Sequence, residues 1–529
     1  SLVVPGLFTI SNAVPGTVNY ASWFSEKKIN GIYGMVSVGY KNMLFLDITG
    51  RNDWSSTLPA ENNSYFYPSA SASVLLSNMF TMPSWMPFAK LRAGWAQVGN
   101  DVAPYQLQQY FAATADWGDA KRMYQDGVLR NSKLKPEIAT SKEIGIDLKL
   151  LDYRLGLEAT YYEVENENQV LNISVPVESG ATNKLINAGL IASNGWEIGL
   201  TSTPIIAGDF KMDLNINVSR NRTKIKELAD GMEFFNFGQE GDAIVRTYVG
   251  ETIGDIYARP VLTVKDESSP YFGYPIISNG GLLQKDNDPA NLKKIGNFNN
   301  DFTMGFQPKF TYKALSLSAN IDWRQGGEFF SGSMRFFRNN GQLENTLSGT
   351  PYDQNSDIVG QIKANPDDYF GYWVGGRTEE LGGFDWGDPS LGRENDASFH
   401  PGVREVVVNG EKVFVENLGG TGTIWKTPFD ANKNSAREFA EHNMYSATYV
   451  KVREVALTYN IPMSLINKAG LQKVSVSLIG KNLFEWTKAG INFDPERAFK
   501  GGSNWVQGIE YYNTLPWVAS YGFKLNIDL

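Results

Sequence analysis

The sequence has no cysteine and only two histidines in 529 residues. Without cysteine there is no disulfide and no thiolate metal site. His400 and His442 fall in segments that read as loops, and no motif places a serine, a carboxylate or a second ligand beside either. A nucleophilic triad or a histidine-bound metal therefore has no support, and both are expected to be solvated. Long apolar runs are also missing. No stretch reaches the roughly 18 apolar residues of a membrane-crossing helix, which excludes a helical membrane protein. A cationic excess is absent too: 48 Lys and Arg stand against 57 Asp and Glu, a net charge of −9, which argues against a nucleic-acid partner. The opening Ser1–Gly6 has no Met, no basic segment and no long apolar core, so it is not a signal peptide. The expectation is a chain that is processed or part of a longer one.

What is present points to strands. The length is too great for one ordinary core, so it implies several domains or an architecture grown from repeated elements, such as a barrel or propeller. Apolar residues are 42% and charged residues 20%, which excludes wholesale disorder. Aromatics reach 13%, and there are 52 glycines. That suits a turn-rich all-β chain with aromatic girdles, a binding surface or both. The mean hydropathy of −0.29 is compatible with a transmembrane barrel, whose lumen and loops are polar. Strict period-2 alternation then recurs along the chain. Phe210, Met212, Leu214, Ile216 and Val218 are apolar with polar residues between them. Leu315, Leu317, Ala319, Ile321 and Trp323 repeat the pattern, as do Ile144 to Leu150, Leu155 to Tyr161 and Leu44 to Ile48. A tilted strand crosses a bilayer in about 9–11 residues, and these segments match.

Connections alternate in length. Short ones are expected near 41–42, 151–152, 204–209, 313–314 and 461–470, and long ones at 100–138, 165–191, 222–298, 327–446 and 486–515. Short turns on one side and long loops on the other is the outer-membrane pattern. The count is roughly 13 or 14 strands. Between Tyr449 and Asn460 the alternation slips phase at Arg453 and Glu454, which a β-bulge would repair. The last strand, from Tyr521, places Tyr521, Phe523, Leu525, Ile527 and Leu529 on one face.

Several segments, in order along the whole chain, resemble the SusC/RagA family of TonB-linked outer-membrane transporters. They are 49–59 (TGRNDWSSTLP), 67–69 (YPS), 90–100 (KLRAGWAQVGN), 134–137 (LKPE) with 143–147 (EIGID), and 187–189 (NAG) with 194–197 (NGWE). Further on come 295–297 (IGN), 324–327 (RQGG), 449–453 (YVKVR), and 480–484 (GKNLF) with 494–496 (DPE). The resemblance implies an antiparallel barrel of about 22 strands with an internal plug, of which residues 1–529 would supply the C-terminal portion of the wall and the plug would not be part. It also implies a TonB-contacting segment upstream, a SusD-like surface lipoprotein as partner, no cofactor, and import of glycans or oligopeptides. About 14 strands cannot close at that size, and open edges are not tolerated in hydrocarbon, so this chain alone is expected to transport nothing. The alternatives are a passive channel or adhesin-like barrel without TonB coupling, or a secreted β-rich enzyme or lectin.

Candidate sites divide into three groups. Asp147, Glu158, Glu197, Asp213 and Asp322 lie at the polar phase of strands, so wall polarity explains them without catalysis. The acidic run 285–289 (KDNDP) lacks the glycine and bidentate Glu of a calcium loop and reads as a plain acidic loop; no metal site is expected. Tyr369, Phe370, Tyr372, Trp373, Phe384 and Trp386 cluster in one loop, with Trp425 and Trp505 in others. They are candidates for stacking on sugar, for packing against the lipoprotein, or for tying the loops together. Arg51, Asp53 and Trp54, at the outer end of a strand, are the family signature, with either a functional or a loop-packing role.

Overall fold

A computed structural model describes residues 3–7, 9, 12, 14, 24–118, 120–343, 374–375, 377–378, 383–384, 398–418, 422–424, 426, 428–467, 470–491, 493–499, 506–512 and 517–528. Its dominant element is one sheet of 13 antiparallel strands. They are β1 (Ile29–Tyr40), β2 (Leu44–Ser55), β3 (Ser64–Leu75), β4 (Phe88–Asn100), β5 (Glu137–Leu150), β6 (Leu155–Glu167) and β7 (Leu190–Ala207). The rest are β8 (Phe210–Glu227), β9 (Phe302–Tyr312), β10 (Leu315–Gln325), β11 (Tyr449–Asn460), β12 (Lys473–Thr487) and β13 (Ser520–Asp528). Each strand pairs with its neighbours in sequence, so the sheet is a meander. Among the described residues, β1 bonds only to β2 and β13 only to β12.

The alternation read from the sequence becomes a two-faced wall. Pairing links Tyr40, Leu44, Val74, Leu91, Ile146, Ala159, Ile198, Val218, Met304, Trp323, Val450 and Trp486 into one rung across twelve strands, with no polar member. The rung starts at the turn end of β1 and finishes at the loop end of β12. That climb is the stagger that tilts strands in a barrel. The other face carries the polar phase: Ser73, Arg92, Gly145, Thr160, Glu197, Ser219, Thr303, Arg324, Tyr449 and Thr487 form a matching rung. Asp147, Glu158, Glu197, Asp213 and Asp322 all lie on this polar face. Among the described residues nothing covers the apolar face; Val36, Ile48, Leu317 and Phe523 are all exposed. Its aromatics form two belts. Tyr40, Phe210, Tyr312 and Tyr459 lie near the turns, and Trp54, Trp95, Tyr161, Trp196, Trp323 and Trp486 near the loops. Among the described residues no helix is long and apolar enough to cross a membrane.

The turns fall at 41–43, 76–87, 151–154, 208–209, 313–314 and 461–472, and the opposite connections at 56–63, 101–136, 168–189, 228–301, 326–448 and 488–519. Lys41, Asn42, Leu151, Asp152, Tyr153 and Lys313 have positive φ, the handedness that matches tight hairpin turns to strand twist. The turn expected at 204–209 is shorter than expected. β7 continues through Pro204 to Ala207 because β6 has already ended opposite Ser202, so the missing N–H of Pro204 breaks no pairing on that side. The phase slip in β11 is a bulge at Arg453, between Val452 and Glu454. It points two consecutive residues at the polar face.

Most buried apolar side chains lie in the long connections rather than in the wall. A four-stranded sheet (Phe234–Glu240, Ala243–Tyr248, Asp255–Ala258, Lys293–Asn297) packs Val245 and Ile256 against Phe330 and Ile509. A second cluster joins Phe329, Ala447 and Ala498. The helix Gly332–Asn339 follows strand Glu328–Ser331, which pairs in parallel with Ile509 and Glu510. Three separate connections thus share one folded cap over the loop end of the sheet.

The two histidines are not solvated, contrary to the expectation from sequence. His400 is fully buried beside Phe399, and the Nε2 of His442 is enclosed without a hydrogen-bond partner. These loops have cores of their own, so a loop position did not mean contact with water.

Candidate functional site: the loop end of the polar face

At the loop ends of β2 to β6, the resembling segments interlock. Asp53 accepts from Arg51 Nε at 2.9 Å and from Tyr67 Oη at 2.5 Å. Ser55 and Thr57 both donate to Asp101, which also pairs with Lys27. Burial works to raise the Asp101 pKa, but hydrogen bonds from Lys27 and Ser55 outweigh it and hold the carboxyl below its usual range. Asn187 holds the backbone of Lys135 from both sides, accepting from its N–H at 2.8 Å and donating to its carbonyl at 2.9 Å. Leu134 is fully buried with Leu58, Tyr65 and Val102. Of the signature residues, Arg51 and Asp53 therefore sit on the polar face in a closed hydrogen-bonded set. Trp54 turns to the apolar face, 42% exposed, in the loop-side aromatic belt. These contacts support loop packing.

A second constellation joins β11 to the connection 488–519. Lys451 has no exposed surface, yet its ammonium meets Asp494, Glu496 at 3.1 Å and Glu485 at 3.6 Å. It also lies over the rings of Tyr449 and Trp517, at 4.4 Å and 4.5 Å. Arg453, aimed inward by the bulge, bonds Asp322 at 2.6 Å and Glu496 at 2.8 Å. Burial raises the Glu496 pKa, and the contacts from Arg453 and Lys451 more than reverse that, leaving it low. An ion network this enclosed holds geometry because losing either partner leaves an uncompensated charge. The sequence carried a signal for it. YVKVR and DPE have opposite charges, but their separation hid the pairing.

A third contact closes the cap. Glu510 is fully buried and accepts from Ser331 Oγ at 2.7 Å, Ser333 Oγ at 2.7 Å and Ser333 N–H at 3.0 Å. Its carboxylate thus sits at the N-terminus of helix Gly332–Asn339, where backbone donors are unpaired and negative charge is favoured. The acidic run 285–289 is held by its own turns. Asp286 accepts from the Asp288 N–H at 3.0 Å and from Asn291 Nδ2 at 2.9 Å, and Lys285 bonds Glu438 at 2.9 Å. Among the described residues no cluster of three or more His, Cys, Asp or Glu is arranged for a metal.

Of the aromatic candidates, Tyr369, Phe370, Tyr372, Trp373, Trp386, Trp425 and Trp505 lie outside the described residues. For Phe384 the backbone alone is described, in a two-residue pairing of Gly383–Phe384 with Arg377–Thr378.

Comparison with known proteins agrees with this architecture. Residues 5–236 match the family model described as TonB dependent receptor-like, beta-barrel. The chain is 24% identical to TonB-dependent receptor P3 of Formosa agariphila, over 97% of this chain and 46% of that protein. It is 24% identical to TonB-dependent receptor SusC of Bacteroides thetaiotaomicron, over 55% of this chain and 30% of that protein. The chain thus spans less than half the length of these relatives. Among solved structures, the RagAB peptide transporter aligns with a TM-score of 0.66 at 17% identity, covering 98% of this chain and 50% of that one. A closed-closed state of the RagAB peptide importer aligns at 0.63, with 16% identity over 94% and 47%. At such identity the likeness is one of fold.

Proposed function

We propose that this chain, which has the TonB-dependent receptor β-barrel fold and resembles the SusC-like members, forms wall and outer mouth in an importer of glycans or oligopeptides across the outer membrane. The observation that carries the reading is the apolar rung running unbroken through twelve strands with a polar rung behind it. A soluble sandwich would cover that apolar face with a second layer. A lipid bilayer needs it bare and needs its backbone groups paired within the sheet. The single-neighbour edges at β1 and β13 are completed, in this reading, by further strands. The wide lumen such a barrel encloses is plugged, and the plug moves under TonB control. The long connections face outward and carry a SusD-like lipoprotein over the mouth, and the short turns face the periplasm.

Transport, rather than catalysis, is the activity. The polar-face carboxylates are spread along the wall or bound into ion pairs. The test is uptake of labelled oligosaccharides and oligopeptides by cells carrying the full-length gene, with and without TonB. Uptake that stops without TonB is expected. Flux that continues without it would replace the importer with a passive channel. A protein that stays dispersed without detergent would overturn the membrane reading altogether. Purification in mild detergent should bring a lipoprotein along, and its absence would overturn the partnership.

A further inference from the structure

Where β8, β9 and β10 reach the loops, the polar face holds a cavity of about 340 Å³ lined by Asn221, Thr223, Asn300, Arg324, Phe499 and Gln507. With the apolar Ile253 and Phe298, the lining is made of amides, a hydroxyl, a guanidinium and a ring, with no carboxylate among them. The Arg324 guanidinium carbon lies over the Phe499 ring, 3.7 Å from its centroid, and one nitrogen donates to the Phe298 carbonyl at 2.7 Å. Its Nε has no hydrogen-bond partner. Among the described residues no carboxylate stands within 4.0 Å of Arg324. A second cation stands behind the lining. Arg222 donates to the backbone carbonyls of Asn221, at 2.8 Å, and of Asn300; Asp301 acts on it electrostatically, but no described carboxylate stands within 4.0 Å of it.

The contrast with the adjacent strand is informative. Lys451 and Arg453, on the same face, are matched by Asp494, Glu496, Glu485 and Asp322. Their charges are used inside the protein. Glu496 acts on Arg324 only from beyond contact distance and is itself bound to Lys451 and Arg453; a largely enclosed guanidinium with no anion in contact retains much of the cost of desolvation, and an anionic ligand offsets it. We propose that this cavity is a binding site for a carboxylate-bearing ligand, with Arg324 as the anchor and the surrounding amides donating to the same group.

A planar carboxylate suits the planar fork that Phe499 holds in place. The cavity is near the lower end of ligand-pocket sizes, so it takes one unit of an oligomer: an acidic sugar ring, or the end of a peptide. The inference rests on the reading of this face as the lumen of an importer, and it names the cargo's charge.

The test is titration calorimetry on the full-length protein in detergent with two matched pairs, trigalacturonate against its methyl ester and trialanine against its C-terminal amide. One acid form should bind about 10- to 100-fold more tightly than its neutral partner, and the pair that shows this identifies the source. Arg324→Gln should abolish the difference, bringing the acid form down to the affinity of its neutral partner. Gln507→Glu, which keeps Arg324 but adds a carboxylate, should abolish it as well, which guards against a folding defect in the first variant. No preference for either acid form, or a preference that survives both substitutions, overturns the site. Uptake that depends on TonB without Arg324-dependent binding would refute this inference alone. Arg324-dependent binding in a protein that imports nothing would refute the importer instead.

Discussion

Arginine placed on the apolar face should be costly in proportion to its depth, and Leu214 is the position that tests this best. From Phe210 to Val218 the apolar residues of β8 alternate without a break. At about 3.4 Å per residue and a tilt of about 40°, that run rises roughly 21 Å along the membrane normal, close to the apolar band of about 25 Å that outer-membrane barrels present. Leu214 is its midpoint, paired with Ser202 and Pro308. Leu214→Arg should therefore cost roughly 2–4 kcal/mol, and Phe210→Arg, at the turn-side aromatic belt, about 0–1 kcal/mol. Asn215→Arg, one residue on but on the polar face, should cost little. The assay is equilibrium denaturation of the full-length protein in phospholipid vesicles, with wild type and all three variants in the same lipid. Equal losses for Leu214→Arg and Asn215→Arg, or a loss at Phe210 as large as at Leu214, would refute the assignment of faces.

Lys451→Met should destabilise the attachment of 488–519 by about 3–5 kcal/mol, because Asp494 and Glu485 are left facing each other without their shared cation. Hydrogen exchange in 488–499 should rise, and adding Asp494→Asn should restore part of the protection. His442 has its pKa lowered to about 4 by burial, then by Arg338 and His400. A folded-state pKa below the unfolded value of about 6.5 means that protons favour the opened form. The cap's stability is therefore complete above about pH 6.5 and falls by up to roughly 3 kcal/mol as pH drops toward 4. His442→Gln should flatten that slope in melting curves taken across the range. For orientation, Cys at Val407 should react with a membrane-impermeant thiol reagent on intact cells and Cys at Asp209 should not; reversed labelling would invert the sheet in the membrane.

The wall was readable because its signal is local. Whether Leu214 faces out is decided by its neighbours at 212 and 216, and the bulge at Arg453 announced itself as a slipped phase. The cap was not readable, because its contacts join distant positions. The parallel pairing of Phe330 with Ile509 and the seating of Glu510 on Ser331 and Ser333 leave no periodic trace. The same blindness misjudged His400 and His442, since polar, aperiodic sequence around them concealed a packed interior. The aromatic candidates at 369–386 came from composition, which finds rings but not their neighbours. Arg324 lies inside the segment RQGG, yet that no described carboxylate touches it becomes visible only when the carboxylates nearby are found bound to Lys451 and Arg453.

The meander of the wall also fixes an order of events. Every strand pairs with the one before it, so each hairpin can form at once and offer its free edge to the next. The segments 228–301 and 326–448 interrupt that sequence, separating β8 from β9 and β10 from β11. Closing a flexible loop costs entropy that grows slowly with length, about 0.6 kcal/mol per doubling, but the search it demands slows assembly. A cap that collapses early around Val245, Ile256 and Phe330 draws the ends of these loops together before the strands meet. It would then act as an internal jig for zipping the wall. Ile509, however, arrives only after β11 and β12 have been made. The last part of the cap and β13, which follows it, would therefore lock together, and damage to the Phe330 and Ile509 contact should delay the pairing of β13 with β12.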